Sequence, residues 1–299
     1  MRNHASVDQA EGLRRLLIPN QTQVITVVSG KAGAGCSSVV INLAAALARS
    51  GKDVLVLDEN HAPNNLLNNL AMSARYDLLD VAQQRCALGD AVLPARGFSV
   101  LPIARAMCAL ATLRPDESKR LEGALTEAGS GVDLMLVDAA TLNGRANASA
   151  MSSGMANGAA LLVVVDATAS GITESYALIK RLATDNARLQ FEIVVNKAVD
   201  ERAAMTVFEN MDKVARRNLA ARLEYLGHVP NDNKLKRAAQ LGRSVSEAFP
   251  ASAAAQSYLA LSQKLLCLPM RQNEAESGIS AIIQSLMRQV SQPLAVAGW

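Results

Sequence analysis

The sequence predicts a doubly wound α/β fold, a mostly parallel sheet with helices on both faces. Short β-branched and aliphatic runs alternate with helical segments of ten or more residues along most of the chain. That alternation implies parallel strands joined by crossover helices. The first run, Val24–Val28, leads through a glycine-rich stretch straight into a helical pattern. Asp58, Asp138 and Asn196 each stand just after a later run, and ligands of such sheets bind outside the carboxyl ends of the strands. Half of the 299 residues are hydrophobic, enough for one large domain with short appendages.

Taken in order, residues 1–20 form a polar arm in which Leu13, Leu16 and Leu17 share one face of a two-turn helical segment. On pattern alone this is a frayed tail. Val24–Val28 is a buried strand and Val39–Arg49 a helix closed by Gly51. Asp53–Leu57 is a second strand, ending in Asp58-Glu59-Asn60. Residues 64–93 give short helices and connections, Phe98–Pro102 a strand, and Pro115–Ala128 a helix with proline in its first turn. Val132–Val137 is a hydrophobic strand running into Asp138. Strands at Ala159–Val165 and Phe191–Val195 then alternate with helices at Ile172–Thr184 and Glu201–Arg217. A short strand at Leu223–Gly227 precedes Val229-Pro230, and helical segments follow over about 232–242 and 250–267. The main domain is thus 21–268, with 269–299 a linker and a terminal segment. There Ile279, Ile282, Ile283, Leu286, Met287 and Val290 recur at helical spacing. Such a stripe suits a membrane surface or docking on the protein's own body, and the pattern leaves both open.

Composition narrows the function. A formal charge of +3 is too small to argue for nucleic acid by itself, and at 3% the aromatic residues for base stacking are scarce, so nucleic acid is not the expected partner. The four cysteines show neither C-x-x-C nor metal-ligand spacing, as expected of a reduced, cytoplasmic chain. Residues 1–19 have no apolar signal-peptide core, and no apolar stretch is long enough to span a bilayer.

The chemistry concentrates in Ser29–Ser38. Strand, glycine-rich loop and helix N-terminus converge backbone N–H groups on an anion. Against the template G-x-x-x-x-G-K-[ST], Gly30, Gly35 and Ser37 match, and Cys36 stands in the lysine position. A thiol at a helix N-terminus is expected to have a lowered pKa, but no flanking base marks Cys36 as a nucleophile. Ser37 and Ser38 suit either Mg²⁺ and phosphate binding or capping of the helix. Four hydrophobic positions before Asp138 have the shape of a strand whose carboxylate lies near Mg²⁺.

With these pieces placed, about residues 22–266 resemble the MinD/ParA family of P-loop ATPases, and most nearly its FlhG/FleN branch of flagellar number and placement regulators. The resemblance implies ATP or ADP with Mg²⁺ at Gly30, Lys31, Gly33, Gly35, Cys36, Ser37, Ser38, Asp58, Asp138, Asn196 and Pro230, with Ser37 and Asp138 at the metal. Lys31 matches the family's early lysine, which reaches the partner's nucleotide in a homodimer. Val194-Val195-Asn196-Lys197 resembles the segment reading the adenine edge, and Leu226–Asp232 the one packing beside the base. The arm, through Asp8, Gln9, Ala10 and Leu13, is similar to the activator helix that stimulates the SRP-type GTPase FlhF. The terminal stripe resembles a membrane-targeting helix, which implies a peripheral place on the inner membrane. A flagellar transcription regulator or a C-ring component is a further implied partner.

Three departures from the family pattern stand out. Cys36 replaces the P-loop lysine. Asn60 occupies the position of the catalytic acid and cannot accept a proton from water, while the neighbouring Glu59 should point elsewhere. Asp138-Ala139-Ala140-Thr141-Leu142 lacks the switch glycine. A charge-assisted phosphate contact is worth ~1.5–3 kcal/mol, so its loss should weaken nucleotide binding roughly ten- to a hundredfold. The expectation is a regulator acting through protein contacts, with ATP binding weakened and hydrolysis lost. The alternatives are an active dimerising ATPase and a nucleotide-independent anti-activator or DNA-partitioning protein. For the last, Lys213, Arg216, Arg217, Arg222, Lys234, Lys236 and Arg237 would form the basic patch.

Overall fold

The structure is a computed structural model that describes residues 22–63, 65–140, 160–185 and 190–268. Asp8, Gln9, Ala10 and Leu13 of the arm lie outside the described residues. So do Thr141, Leu142 and the stripe Ile279, Ile282, Ile283, Leu286, Met287 and Val290.

The centre of the sheet is β1 (Gln23–Val28), flanked by β5 (Leu134–Asp138) and β6 (Ala160–Asp166), both parallel to it. Beyond β5 lie β2 (Val54–Asp58), β4 (Ser99–Pro102) and the two-residue β3 (Leu93–Pro94); beyond β6 lie β7 (Gln190–Ala198) and β8 (Arg222–Pro230). Among these eight strands only β3 runs antiparallel to its neighbour. The chain therefore winds outward from β1 in both directions. Its crevice opens where the order reverses, at the carboxyl ends of β1, β2, β5 and β6.

Side-chain alternation puts the two faces of each strand into different cores. Ile25 and Val27 join Val54, Val56, Leu134, Leu136, Leu162 and Val194 under α1 (Cys36–Arg49) and the last described helix, Ala253–Leu266. On the opposite face, Leu55, Leu57, Met135 and Val137 pack beneath Leu78–Ala82 and Pro115–Ser130. Val28, Val163, Val165, Ile193 and Val195 pack beneath Ala169–Asp185 and Glu201–Leu219. Strands buried on both faces must be near-continuous aliphatic runs, which is why the sequence marks them so plainly.

The boundaries are mostly those expected, with informative differences. Helix α1 begins three residues before the expected Val39, so Cys36 is its first residue. The sequence left unassigned the edge strand β3, the helix Ala104–Ala109 and the short helix Val245–Ala248. The last had a signal, since Ser244 caps it by accepting from the Glu247 amide. The strand expected at Leu223–Gly227 continues to Pro230 through register shifts against β7.

Candidate functional site

Residues 29–35 turn from the end of β1 into α1. Gly33 (φ 76°) and the N-cap Gly35 (φ 94°) are left-handed, a conformation glycine adopts without strain. No side chain caps the helix, so Ser37 and Ser38, one and two residues inside it, do not serve as its N-cap. The glycines differ in what they permit. A Cβ on Gly30 would meet the Glu174 carbonyl oxygen at 2.3 Å, and one on Gly35 would meet Asn196 Nδ2 at 2.4 Å. A Cβ on Gly33 would meet open space. Gly30 and Gly35 thus let the loop seat against its own protein, whereas the exposed Gly33 faces outward.

Two ammonium groups tie the loop to the rest of the domain. Lys31 Nζ donates to Ser170 Oγ at 2.6 Å. Lys197 Nζ donates to the Gly33 carbonyl at 2.7 Å and to Asp166 Oδ2 at 2.7 Å. Beside it, Asn196 Nδ2 donates to the Ala34 carbonyl at 2.7 Å, and Asn196 Oδ1 accepts from the Lys197 amide at 2.9 Å. The end of β7 is thereby bonded to two successive loop carbonyls. Pro230 closes β8 in register with Ala198, beyond that junction.

On the other side the strand ends bring three acids together. Asp58 and Asp138 are register partners across β2 and β5, and Val27 of β1 pairs with Asp138. All three acids, Asp58, Glu59 and Asp138, are buried. Asp58 Oδ2 accepts from the Leu66 amide at 2.8 Å and Oδ1 from the Asn60 amide at 3.1 Å. Burial nonetheless pushes its pKa above the ordinary carboxylate value, and those bonds only partly offset it. Glu59 Oε2 accepts from the Ala140 amide, so it is aimed at the segment after β5. Asn60 Nδ2 donates to the Asp138 backbone carbonyl at 3.1 Å, tying the post-β2 loop to β5.

Asp138 is the outlier. Neither carboxylate oxygen has a hydrogen-bond partner of good geometry among the described residues, although the Ser37 and Cys36 side chains lie alongside. Burial, then the Asp58 charge, raises its pKa to about 7. The same burial, followed by Asp138 itself, pushes the Cys36 thiol well above its ordinary value. The lowered thiol pKa expected at a helix N-terminus is therefore corrected. The thiol is buried and its Sγ donates to the Val27 carbonyl at 3.4 Å, so desolvation outweighs the helix dipole.

Among the described residues no three His, Cys, Asp or Glu side chains cluster to hold a metal ion by themselves. The orphaned, buried Asp138 carboxylate beside Ser37 does fit Mg²⁺, which takes one or two protein oxygens and completes its shell from phosphate and water. The left-handed loop at the N-terminus of α1 fits a phosphate. Sequence reasoning named Lys197 only within the Val194–Lys197 segment, with no role of its own, and did not single out its partner Asp166. Asp166 carried the same signal as Asp58 and Asp138, an acid ending a hydrophobic strand.

Three of the seven basic residues between Lys213 and Arg237 have side-chain contacts. Arg216 pairs with Asp212 at 2.7 Å, Arg222 with Glu224 at 3.0 Å, and Arg237 lies over the Phe249 ring. No helix among the described residues is long and apolar enough to cross a membrane.

Residues 25–245 match the CobQ/CobB/MinD/ParA nucleotide binding domain. The chain is 34% identical over 252 residues to the antiactivator FleN of Pseudomonas aeruginosa, covering 84% of this chain and 89% of that one. It is 27% identical over 221 residues to the flagellum site-determining protein YlxH of Helicobacter pylori, covering 72% of each. The fold is similar to that of the septum site-determining protein MinD of Pyrococcus horikoshii, solved with Mg-ADP. That match has a TM-score of 0.61 at 21% identity and covers 82% of this chain and 96% of that one.

Proposed function

Since the chain belongs to the CobQ/CobB/MinD/ParA family of nucleotide-binding proteins, we propose that it is a MinD-like regulator of flagellar number and placement. It acts through protein contacts, with nucleotide binding weakened and hydrolysis lost. The similarity to FleN and YlxH along most of the chain supports the flagellar role. The observation that carries the weakened site is Cys36. A buried thiol with a raised pKa stands where the phosphate-binding template has an ammonium, so it brings no positive charge to the loop. Asn60 supports the loss of hydrolysis. Its side chain is an amide that donates to the Asp138 carbonyl, and an amide has no basicity with which to activate water.

In this proposal Gly30, Lys31, Gly33, Gly35, Ser37, Ser38, Asp58, Asn196 and Pro230 line a cradle for ATP or ADP. Ser37 and Asp138 would hold Mg²⁺, which supplies charge neutralisation at the phosphates. The arm, through Asp8, Gln9, Ala10 and Leu13, engages an FlhF-like GTPase, and the terminal stripe offers a peripheral inner-membrane contact. The name of the Pseudomonas relative, an antiactivator, favours a flagellar transcription regulator as a further partner.

A titration of the purified full chain with labelled ATP and Mg²⁺, alongside a turnover assay, tests the site. Weak binding and turnover at the blank rate are expected. Micromolar binding with steady hydrolysis would refute the degenerate site. For the arm, replacing Asp8, Gln9 and Ala10 together should abolish stimulation of the partner GTPase, and unchanged stimulation would remove that contact.

A further inference from the structure

A phosphate-binding loop with cysteine in place of the lysine at the start of its helix lacks the ammonium that the template sets there, and amide dipoles alone hold a polyphosphate poorly. Two described ammonium groups touch the loop or its edge. That of Lys31 is directed to Ser170, at the start of the helix Ala169–Asp185. That of Lys197 is bonded to a carbonyl of the loop itself, Gly33, the glycine beside open space. We propose that Lys197 serves this phosphate site as a cation: from the end of β7 it supplies part of the charge that Cys36 does not provide, held back by its pairing with Asp166.

Three features of the structure carry this. First, an ammonium has three donors, and among the described residues Lys197 uses two, on Gly33 and Asp166. Its side chain is 44% exposed, so the group is reachable from solvent while anchored. Second, Lys197 is one of few non-glycine residues with positive φ (58°), a conformation that β-carbon sterics disfavour and that persists only when surroundings hold it. What holds it here is the Asn196 side chain, through the Lys197 amide, and the two Nζ bonds. Third, Asp166 is buried and bonded to Lys197, which fixes the ammonium at the loop in the absence of an anion. An arriving phosphate competes with that carboxylate for the same charge. Asp166 is thus a positioning residue that also restrains affinity.

This inference rests on the proposal that the loop takes a nucleotide, and it names the residue on which that binding depends. It is tested on the full chain with fluorescent ADP and with adenosine, each in Mg²⁺. Lys197→Met should weaken ADP by about tenfold or more, the low end for one charge-assisted phosphate contact, and adenosine by less than about twofold. Lys197→Arg, which keeps the charge, should restore most of the ADP affinity. Asp166→Asn, which frees the ammonium, should leave ADP binding unchanged or tighter. A mere strut between β7 and the loop predicts the opposite sign, because Asp166→Asn would loosen the loop and weaken ADP and adenosine alike.

Equal ADP affinity in Lys197→Met and the parent overturns the assignment, and so does equal loss of ADP and adenosine. Should the parent bind no ADP, Lys197 is not an effective cation, while the degenerate-site proposal stands. Should the parent bind ADP tightly and hydrolyse ATP, that proposal falls, and the Lys197→Met comparison still decides the role of Lys197. Thermal unfolding without nucleotide identifies any variant that has lost its fold, and Lys197→Arg then carries the test.

Discussion

The stranded carboxylate of Asp138 predicts an uncommon pH dependence of stability. In the folded protein its pKa is about 7, against 3.8 for the unperturbed group. Between those values the native state keeps a proton that the unfolded chain releases. Stability from this group is therefore fully present below the unfolded pKa and lost as pH rises through the folded one. The pKa difference of about 3 corresponds to ~4 kcal/mol, lost between about pH 4 and pH 7 and constant above. Asp138→Asn cannot titrate, so it isolates the effect from all other groups. Urea unfolding of both proteins from pH 4.5 to 8, without nucleotide or divalent ions, gives the stability difference at each pH. Parent minus variant should fall by a few kcal/mol across that window. Asp58→Asn, which removes the second cause of the shift, should move the fall to lower pH. A difference that stays flat within ~0.5 kcal/mol, about the scatter of additive changes, would show that Asp138 carries no extra proton and would refute the buried, unpartnered carboxylate.

The other predictions follow from single contacts. Gly30→Ala places a methyl 2.3 Å from the Glu174 carbonyl oxygen and should cost ~2–3 kcal/mol or more, whereas Gly33→Ala, at φ 76° in open space, should cost ~1 kcal/mol; denaturant midpoints compare the two. Arg105→Ala removes a 2.9 Å contact to the buried Asp80 and a weaker one to Asp77, and should cost ~1–2 kcal/mol at pH 7 after allowing for the half-exposed guanidinium. Although burial alone would raise it, Arg105 and the other bonds hold the Asp80 carboxyl below its ordinary pKa, so the penalty should shrink as pH falls through that value. Asn60→Asp adds a carboxylate beside Asp58 and removes the amide donor to the Asp138 carbonyl, so it should destabilise the protein by ~1–3 kcal/mol at pH 8 and not restore hydrolysis alone. With a thiol-reactive dye, Cys108 and Cys267 should label rapidly and the buried Cys36 only on unfolding; fast labelling of Cys36 would contradict its burial and raised pKa.

Much of the fold was legible because its signals are local. A strand buried on both faces has to be an aliphatic run such as Leu161–Val165, and a loop left-handed at Gly33 and Gly35 needs glycine there. The elements missed had weak local signals. The pairing of Leu93 and Pro94 with Val100 and Ser99 spans only two residues, and Val245–Ala248 is a single turn. At the site, the order of Gly30, Cys36, Asp58 and Asp138 along the chain pointed to strand ends that the structure sets side by side. It gave the wrong sign for the Cys36 thiol, because desolvation depends on what packs around a group and not on its place in a helix.

By itself, then, the sequence determined that a strand, a glycine loop and a helix succeed one another, and that a cysteine and an amide stand where a lysine and an acid are expected. Backbone preference and residue chemistry act within a few positions, so they can be read without the fold. Only the tertiary structure decided which charges meet. Among the described residues it left Asp138 without a partner between β1 and β2, and it brought Lys197 to Gly33 from 164 positions away. Electrostatics inside a protein are set by distance and burial in space, and neither is recorded in the spacing of residues along the chain.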